Sequence, residues 1–303
     1  MTQTPRTRPS RFRNWPAFLS LSPIWVIALC LFVGTAFYSF YLSFTASRTM
    51  PTTELVGLQH YVKLFETRRW NIALINMGVL CVTYVVGCLV LGFLLAAALD
   101  RKVRFENTLR TVFLYPQAVS FVVTGLVWQW LMNPTLGIQS TVQGWGWHSF
   151  RFDWVENPDM AIYAVALAGL WQGAGLTMVL LLAGLRGIDG SLWQAARVEG
   201  IPLWRTYVSI IIPELRPAIA TAATLLFMGI IRTYDLVVAM TNGGPGSSTE
   251  LPAKFIMDNL FARQNIGLAT AGASVLLVTV LAVVVPVYYI RTFQQKKATR
   301  KGA

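Results

Sequence analysis

Arg232 and Asp235 sit three residues apart inside a stretch, about 218–240, that is otherwise almost wholly apolar. In a helix that spacing brings both side chains near one face. A charge at the centre of a membrane-spanning helix costs at least about 2.5 kcal/mol, and it faces the bundle interior or a water-filled path. Two readings stay open. The pair fixes helix packing as a mutual ion pair, or it lines a path and bonds to a hydroxyl-rich solute. In the second reading Tyr234 offers a ring face to the C–H groups of a sugar. Asn76, Tyr84, Gln117, Gln129, Gln172 and Thr177 are further polar residues in or near apolar runs. Each is a path candidate, with helix–helix hydrogen bonding as the alternative. Trp128 and Asn242 join the path candidates. Trp128, Trp130 and Trp171 also suit packing or the membrane interface.

Other chemistry is poorly provided for. The chain has no G-x-x-x-x-G-K-[S/T] phosphate loop, so it is not expected to hydrolyse ATP itself. Its two histidines, His60 and His148, lie in separate loops. Cys30, Cys81 and Cys88 all fall in apolar runs and read as small buried hydrophobes. No catalytic constellation, metal site or bound cofactor is expected.

The elements that must position these groups are membrane spans. Of 303 residues, 55% are hydrophobic and 13% charged, against roughly 25% charged in a soluble domain. No charge occurs between Arg13 and Arg48, Arg69 and Asp100, or Arg110 and Arg151, nor within 160–185 and 264–290. A span needs about 20 apolar residues. The expectation is an all-α integral membrane protein with six spans, near 18–44, 71–98, 111–132, 160–184, 218–240 and 265–290. Residues 1–16 and 293–303 are basic tails flanking a transmembrane domain over 17–292. The piece 56–65 reads as a short amphipathic helix with Leu58, Tyr61, Val62 and Phe65 on one side. TNGGPGSSTE, from Thr241, reads as a flexible turn region. The net charge of +12 does not point to nucleic acid, because the basic residues cluster beside spans. On the side of both tails and the 185–217 loop there are 17 Lys and Arg, against 7 on the other. That bias predicts both termini and the loop to be cytoplasmic.

The 185–217 loop is the one long charged segment with helical patterning. Ser191 can cap a helix starting at Leu192. Ala195 and Ala196 keep that helix slim enough to seat in a groove. Gly200 can end it with a positive φ, and Pro202 suits the first turn of a second helix. Trp204, Tyr207, Val208 and Ile211 give the second helix an apolar stripe, and Pro213 is expected to break it. Helix, glycine corner and helix together make a prong. The plain alternative is an amphipathic loop packed on its own bundle.

The prong resembles the ATPase-gripping loop of permease subunits in bacterial ABC importers, the maltose-type sugar branch. That family carries E-A-A-x-x-D-G-A-x-x-W-x-x-F-x-x-I-x-L-P. This chain has Gln194, Ala195, Ala196, Glu199, Gly200, Trp204, Tyr207, Ile210 and Pro213 at the corresponding places. Gln194 replaces a glutamate and so lacks its charge. Further likeness includes Pro116, Trp128, Trp171, Gly175, Asp235 and Asn242-Gly-Gly-Pro. The resemblance implies coupling to a separate ATPase through Trp193, Gln194, Ala195, Ala196, Glu199, Gly200, Trp204 and Pro213. It implies a second homologous permease subunit, two ATPase subunits that bind ATP and Mg, and a soluble substrate-binding protein, in a bacterial inner membrane. The implied function is sugar import. A permease for glycerol phosphate or a polyamine is the nearer rival. A self-contained secondary transporter is the rival of another class, although the halves show no internal repeat.

Overall fold

The computed structural model describes residues 15–101, 103–231 and 233–301. Arg232 and the first tail up to residue 14 therefore lie outside the described residues, and the expected Arg232–Asp235 pair with them.

The chain is all-helical. α1 (Trp15–Ala28) passes through a widened turn at Leu29–Gly34 into α2 (Thr35–Leu42). α3 (Gln59–Glu66) is short, and α4 (Arg68–Asp100) is a full span. α5 (Glu106–Ala118) and α6 (Phe121–Leu131) follow, then the short α7 (Ile138–Gly144) and the long α8 (Ala161–Arg186). The prong comprises α9 (Gly190–Val198), α10 (Leu203–Thr206) and α11 (Ile212–Glu214). α12 (Arg216–Ile231), α13 (Tyr234–Met240), α14 (Pro252–Met257) and α15 (Ile266–Lys301) complete it.

Four helical stretches among the described residues are long and apolar enough to cross a membrane, or six if each of two bent pairs counts as one span. The expected third span is one of those pairs. α5 and α6 meet at 97° rather than forming a straight helix. Pro116 sits in the last turn of α5, and Val119 turns extended at φ −79°, ψ 138°. Ser120 then caps α6, its Oγ accepting from the Val123 N–H at 3.3 Å. The expected fifth span is divided as well. α12 ends at Ile231 and α13 starts at Tyr234, while a 70° bend between Leu203–Glu214 and α12 precedes the span.

α8 is the axis of the bundle. α4 packs along it, and α5, α6, α12 and α13 also contact it. Its small residues permit this approach: a Cβ at Gly173 would come within 2.5 Å of the Tyr84 hydroxyl. Near one end of α8, Ala164, Val165 and Ala168 pack with Leu236, Val237 and Met240. Near the other, Met178, Leu181, Leu182 and Leu185 pack with Ala96, Leu99, Ile211 and Leu215. The first span differs, for none of its central residues is buried by the rest of the chain.

At the end remote from the prong, α3 points Leu64 inward to Trp70 and Phe255. Leu58, Val62 and Phe65 point outward, away from the bundle. The 241–250 segment is tightly bonded rather than loose. Thr249 Oγ1 lies 2.7 Å from Thr241 Oγ1 and donates to the Gly244 carbonyl at 3.0 Å. A four-charge network then ties this segment to α4. Arg69 bonds Glu250 at 2.9 Å and also Asp258, while Lys254 bonds Asp258 at 2.8 Å. Burial pushes the Glu250 carboxyl up from its ordinary value. Burial pulls Asp258 the same way, but its bonds to Lys254 and Arg69 outweigh that and leave it lowered.

Candidate functional site

The break between α5 and α6 frees backbone groups inside the bundle. An unpaired carbonyl in a hydrocarbon setting costs several kcal/mol. Gln172, near the middle of α8, answers this: its Nε2 donates to the Val119 carbonyl at 2.6 Å. The side chain is buried, at 4% exposure, and its Oε1 has no hydrogen-bond partner. That acceptor belongs to a residue lining a cavity of about 200 Å³.

Five helices supply the lining. α4 brings Tyr84, α5 brings Gln117, α6 brings Phe121, α8 brings Gln172 and Thr177, and α12 brings Gly229. Among the described residues the polar members are a phenol, two amides and a hydroxyl, and none that lines the cavity is charged. Thr177 spends its hydroxyl proton on the Gly173 carbonyl at 3.0 Å, which leaves the oxygen as an acceptor. Such a site can bond to neutral hydroxyl groups and press them against the rings of Tyr84 and Phe121.

The structure thus gathers Tyr84, Gln117, Gln172 and Thr177 at one cavity, and it places Asn76, Trp128, Tyr234, Asp235 and Asn242 outside its lining. Asn76 Nδ2 donates to the carbonyls of Ser247 (3.3 Å) and Glu250 (3.0 Å), fastening the 241–250 segment. Trp128 packs edge-on against Trp171 with centroids 6.3 Å apart. Tyr234 and Asp235 start α13, with Asp235 exposed, and neither lines the cavity. Asn242 is an exposed turn residue with φ +49°. Phe121, Gly229 and the Val119 carbonyl are members that sequence reasoning missed. Ser120, with a polar side chain just before an apolar helix, was the available signal for the break.

The prong is a second site. Asp189, not Ser191, caps α9, its Oδ1 accepting from the Ser191 N–H at 2.9 Å. That bond holds the Asp189 carboxyl below its usual range. Gly200 takes φ +68°. The Ile201 N–H then reaches the Ala196 carbonyl (3.0 Å) and the Gly200 N–H reaches Arg197 (3.1 Å), the paired bonds of a Schellman terminus. Pro202 is the N-cap of α10, just outside the helix. Pro213 does not break the second helix. The turn widens at Tyr207–Ile211, where the Ile212 N–H reaches back to the Tyr207 carbonyl, and the 70° bend falls beyond Glu214.

The two faces of the prong differ. Ala196 is buried against its own chain, and Trp193 stacks on Tyr207 (5.4 Å), which stacks on Phe93 of α4 (6.0 Å). Gln194, Ala195, Glu199 and Gly200 are exposed, as are Val198 at 89% and Trp204 at 69%. Pro213 is half-buried. Arg186, the last residue of α8, fixes the root of the prong. It donates to Glu106 at 2.7 Å and to the Leu99 carbonyl at 3.3 Å.

A rigid prong with an open apolar face, at one end of a membrane bundle, fits a docking element. Residues 88–300 match the family described as binding-protein-dependent transport system inner membrane component. The chain belongs to that family. As an ABC-transporter permease it is a membrane subunit of an importer and not a catalytic enzyme. The permease is 35% identical to a probable ABC transporter permease protein of Pyrococcus horikoshii over 83% of this chain and 87% of that one. It is 34% identical to the xylose/arabinose import permease protein XacH of Haloferax volcanii, over 90% and 88%. Its fold superposes on a chain from the crystal structure of a bacterial ABC transporter for alginate import. The TM-score there is 0.78 at 18% identity, covering 94% of this permease and 96% of that chain.

Proposed function

We propose that this permease carries a neutral sugar through the Tyr84–Gln172 cavity and couples that passage to a separate ATPase through the 185–217 prong. The observation that carries the proposal is the cavity wall itself, on which the described residues set a phenol, two amides and a hydroxyl and no charge. Polar groups lining a cavity need hydrogen-bond donors and acceptors, which a ligand or water can supply. Sugar hydroxyls are such donors. The uncharged lining that the described residues form suits a polyhydroxyl solute better than a phosphate ester or a polyamine. The Haloferax volcanii relative, a xylose/arabinose import permease by name, supports a sugar as cargo.

In this reading the chain is of the maltose type. The ATPase subunits bind ATP and Mg, and a soluble binding protein delivers the solute. The open face with Ala195, Val198, Gly200 and Trp204 meets the ATPase, and the termini lie on that cytoplasmic side. A second, homologous permease covers the first span, whose central residues find no cover in their own chain.

The test is uptake of radiolabelled sugars by vesicles holding the complete importer. Uptake should need ATP and the binding protein. Tyr84→Phe and Gln172→Glu should alter which sugars are taken up. ATP-independent uptake driven by an ion gradient would instead make the chain a secondary transporter. Unaltered preference in both variants would remove the cavity from the path.

A further inference from the structure

We infer that the loop between α6 and α8 is a lipid anchor, with Trp145 and Trp147 seated in the headgroup boundary of the leaflet opposite the prong. This is independent of what the permease carries. Trp145 is 82% exposed and Trp147 60% exposed. Large rings left open to this degree mark a surface that something covers.

The tip is rigid. Trp147 stacks on Phe150 at 5.2 Å, Phe150 lies 6.2 Å from Phe152, and Phe152 stacks on Trp154 at 5.3 Å. Phe152 and Trp154 pack on the core around α8. Two glutamines one turn apart on α7 fasten the returning chain. Gln139 Oε1 accepts from the Phe152 N–H at 2.7 Å, and Gln143 Nε2 donates to the Phe150 carbonyl at 2.9 Å. Trp147 Nε1 is held by Ser149 Oγ at 3.0 Å.

Its height is also set. The chain turns tightly after α6, where the Gly137 N–H bonds the Asn133 carbonyl at 2.9 Å, and the two glutamine bonds hold α7 to the returning chain. A Cβ at Gly137 would lie 2.3 Å from the Leu131 carbonyl oxygen. The loop therefore cannot extend far from the level at which α6 ends and α8 begins. That level is where membrane helices leave the bilayer, on the side of α8 away from the prong.

Chemistry selects the occupant. From Asn133 to Phe150 the chain carries no Lys, Arg, Asp or Glu. Charges begin only on the return, at Arg151, Asp153, Glu156 and Asp159. A tip without Lys, Arg, Asp or Glu, carrying His148 and two indoles that are each an apolar body with one N–H, suits the boundary between headgroups and acyl chains. A soluble protein partner is the other possible cover, and the test separates the two.

The purified assembly is placed in vesicles of phosphatidylethanolamine and phosphatidylglycerol with lipid brominated near the top of the acyl chain. Tryptophan fluorescence is compared between the wild type and the Trp145→Phe/Trp147→Phe double variant, which keeps a ring at each place. The emission lost in the variant should be the part quenched by bromolipid and protected from aqueous iodide. Trp145→Phe and Trp147→Phe alone should each remove a share. The inference falls if that emission is quenched by iodide and not by bromolipid. It falls equally if the emission is protected only when the soluble binding protein is added, which would make the tip a protein-docking surface.

Discussion

The side chain of Gln172 donates a 2.6 Å hydrogen bond to the carbonyl of Val119, across 53 residues of sequence, at the point where α5 gives way to α6. This bond makes a broken helix tolerable in a membrane bundle, because it satisfies a carbonyl that the helix no longer can. It also holds the amide so that its oxygen stays free.

Gln172→Leu keeps the bulk but strands the Val119 carbonyl. We expect a loss of about 1–3 kcal/mol in stability, the cost of one unpaired buried acceptor. Melting of the purified assembly reads it. An unchanged melting curve would mean that the bond does not support the break.

Gly200→Val puts a β-branched residue at φ +68°, a conformation that costs an L-residue about 1–2 kcal/mol. Apart from its chain neighbours, no described atom lies within 4 Å of the added Cβ, so backbone strain is the main expected effect. Gly200→Asn, which tolerates this region, should be milder. Copurification of the ATPase should fall in the order Gly, Asn, Val. Equal binding by all three would separate the glycine corner from docking.

Trp193 and Trp204 lie on opposite faces of the prong and should fail differently. Trp193→Ala removes a ring packed on Tyr207 and should cost about 1–2 kcal/mol in stability. Trp204→Ala, at an exposed site, should stay within about 0.5 kcal/mol of the wild type yet reduce ATP-dependent uptake. A matched melt and uptake assay decides. Normal uptake in Trp204→Ala would take that ring out of the coupling face.

The Asp258 carboxyl is held below its ordinary value of 3.8, so its stabilising contribution is present above that pH. The contribution is lost as pH falls through the lowered value. Glu250 has the opposite sign. Its raised value means that protonation on the acid side relieves a buried charge and favours the fold. Asp258→Asn should therefore melt lower near neutral pH and lose less stability than the wild type between about pH 4 and about pH 2. Parallel curves would show that Asp258 has no bonded partner in the folded state.

What the sequence by itself determined was local. Charge-free runs such as 71–98 announced a membrane bundle, because no soluble surface could carry them. The prong was legible at Gly200, because a positive φ is a property of one residue and its neighbours. Even there, capping went to Asp189 rather than Ser191, and the chain absorbed Pro213 in a widened turn. The tertiary structure decided everything that needs two distant segments. Within 111–132 Ser120 could signal an interruption but not a 97° break, since the group that satisfies it sits on α8. Tyr84, Gln117, Gln172 and Thr177 were each visible as polar residues in apolar runs, but only packing brought them to one cavity and gave Asn76 and Trp128 other neighbours. Asn76 has backbone carbonyls within reach, Trp128 has Trp171, and the Gln172 oxygen has no bonded neighbour. A residue's partners, not its type, decide whether its hydrogen-bonding capacity is left for a ligand.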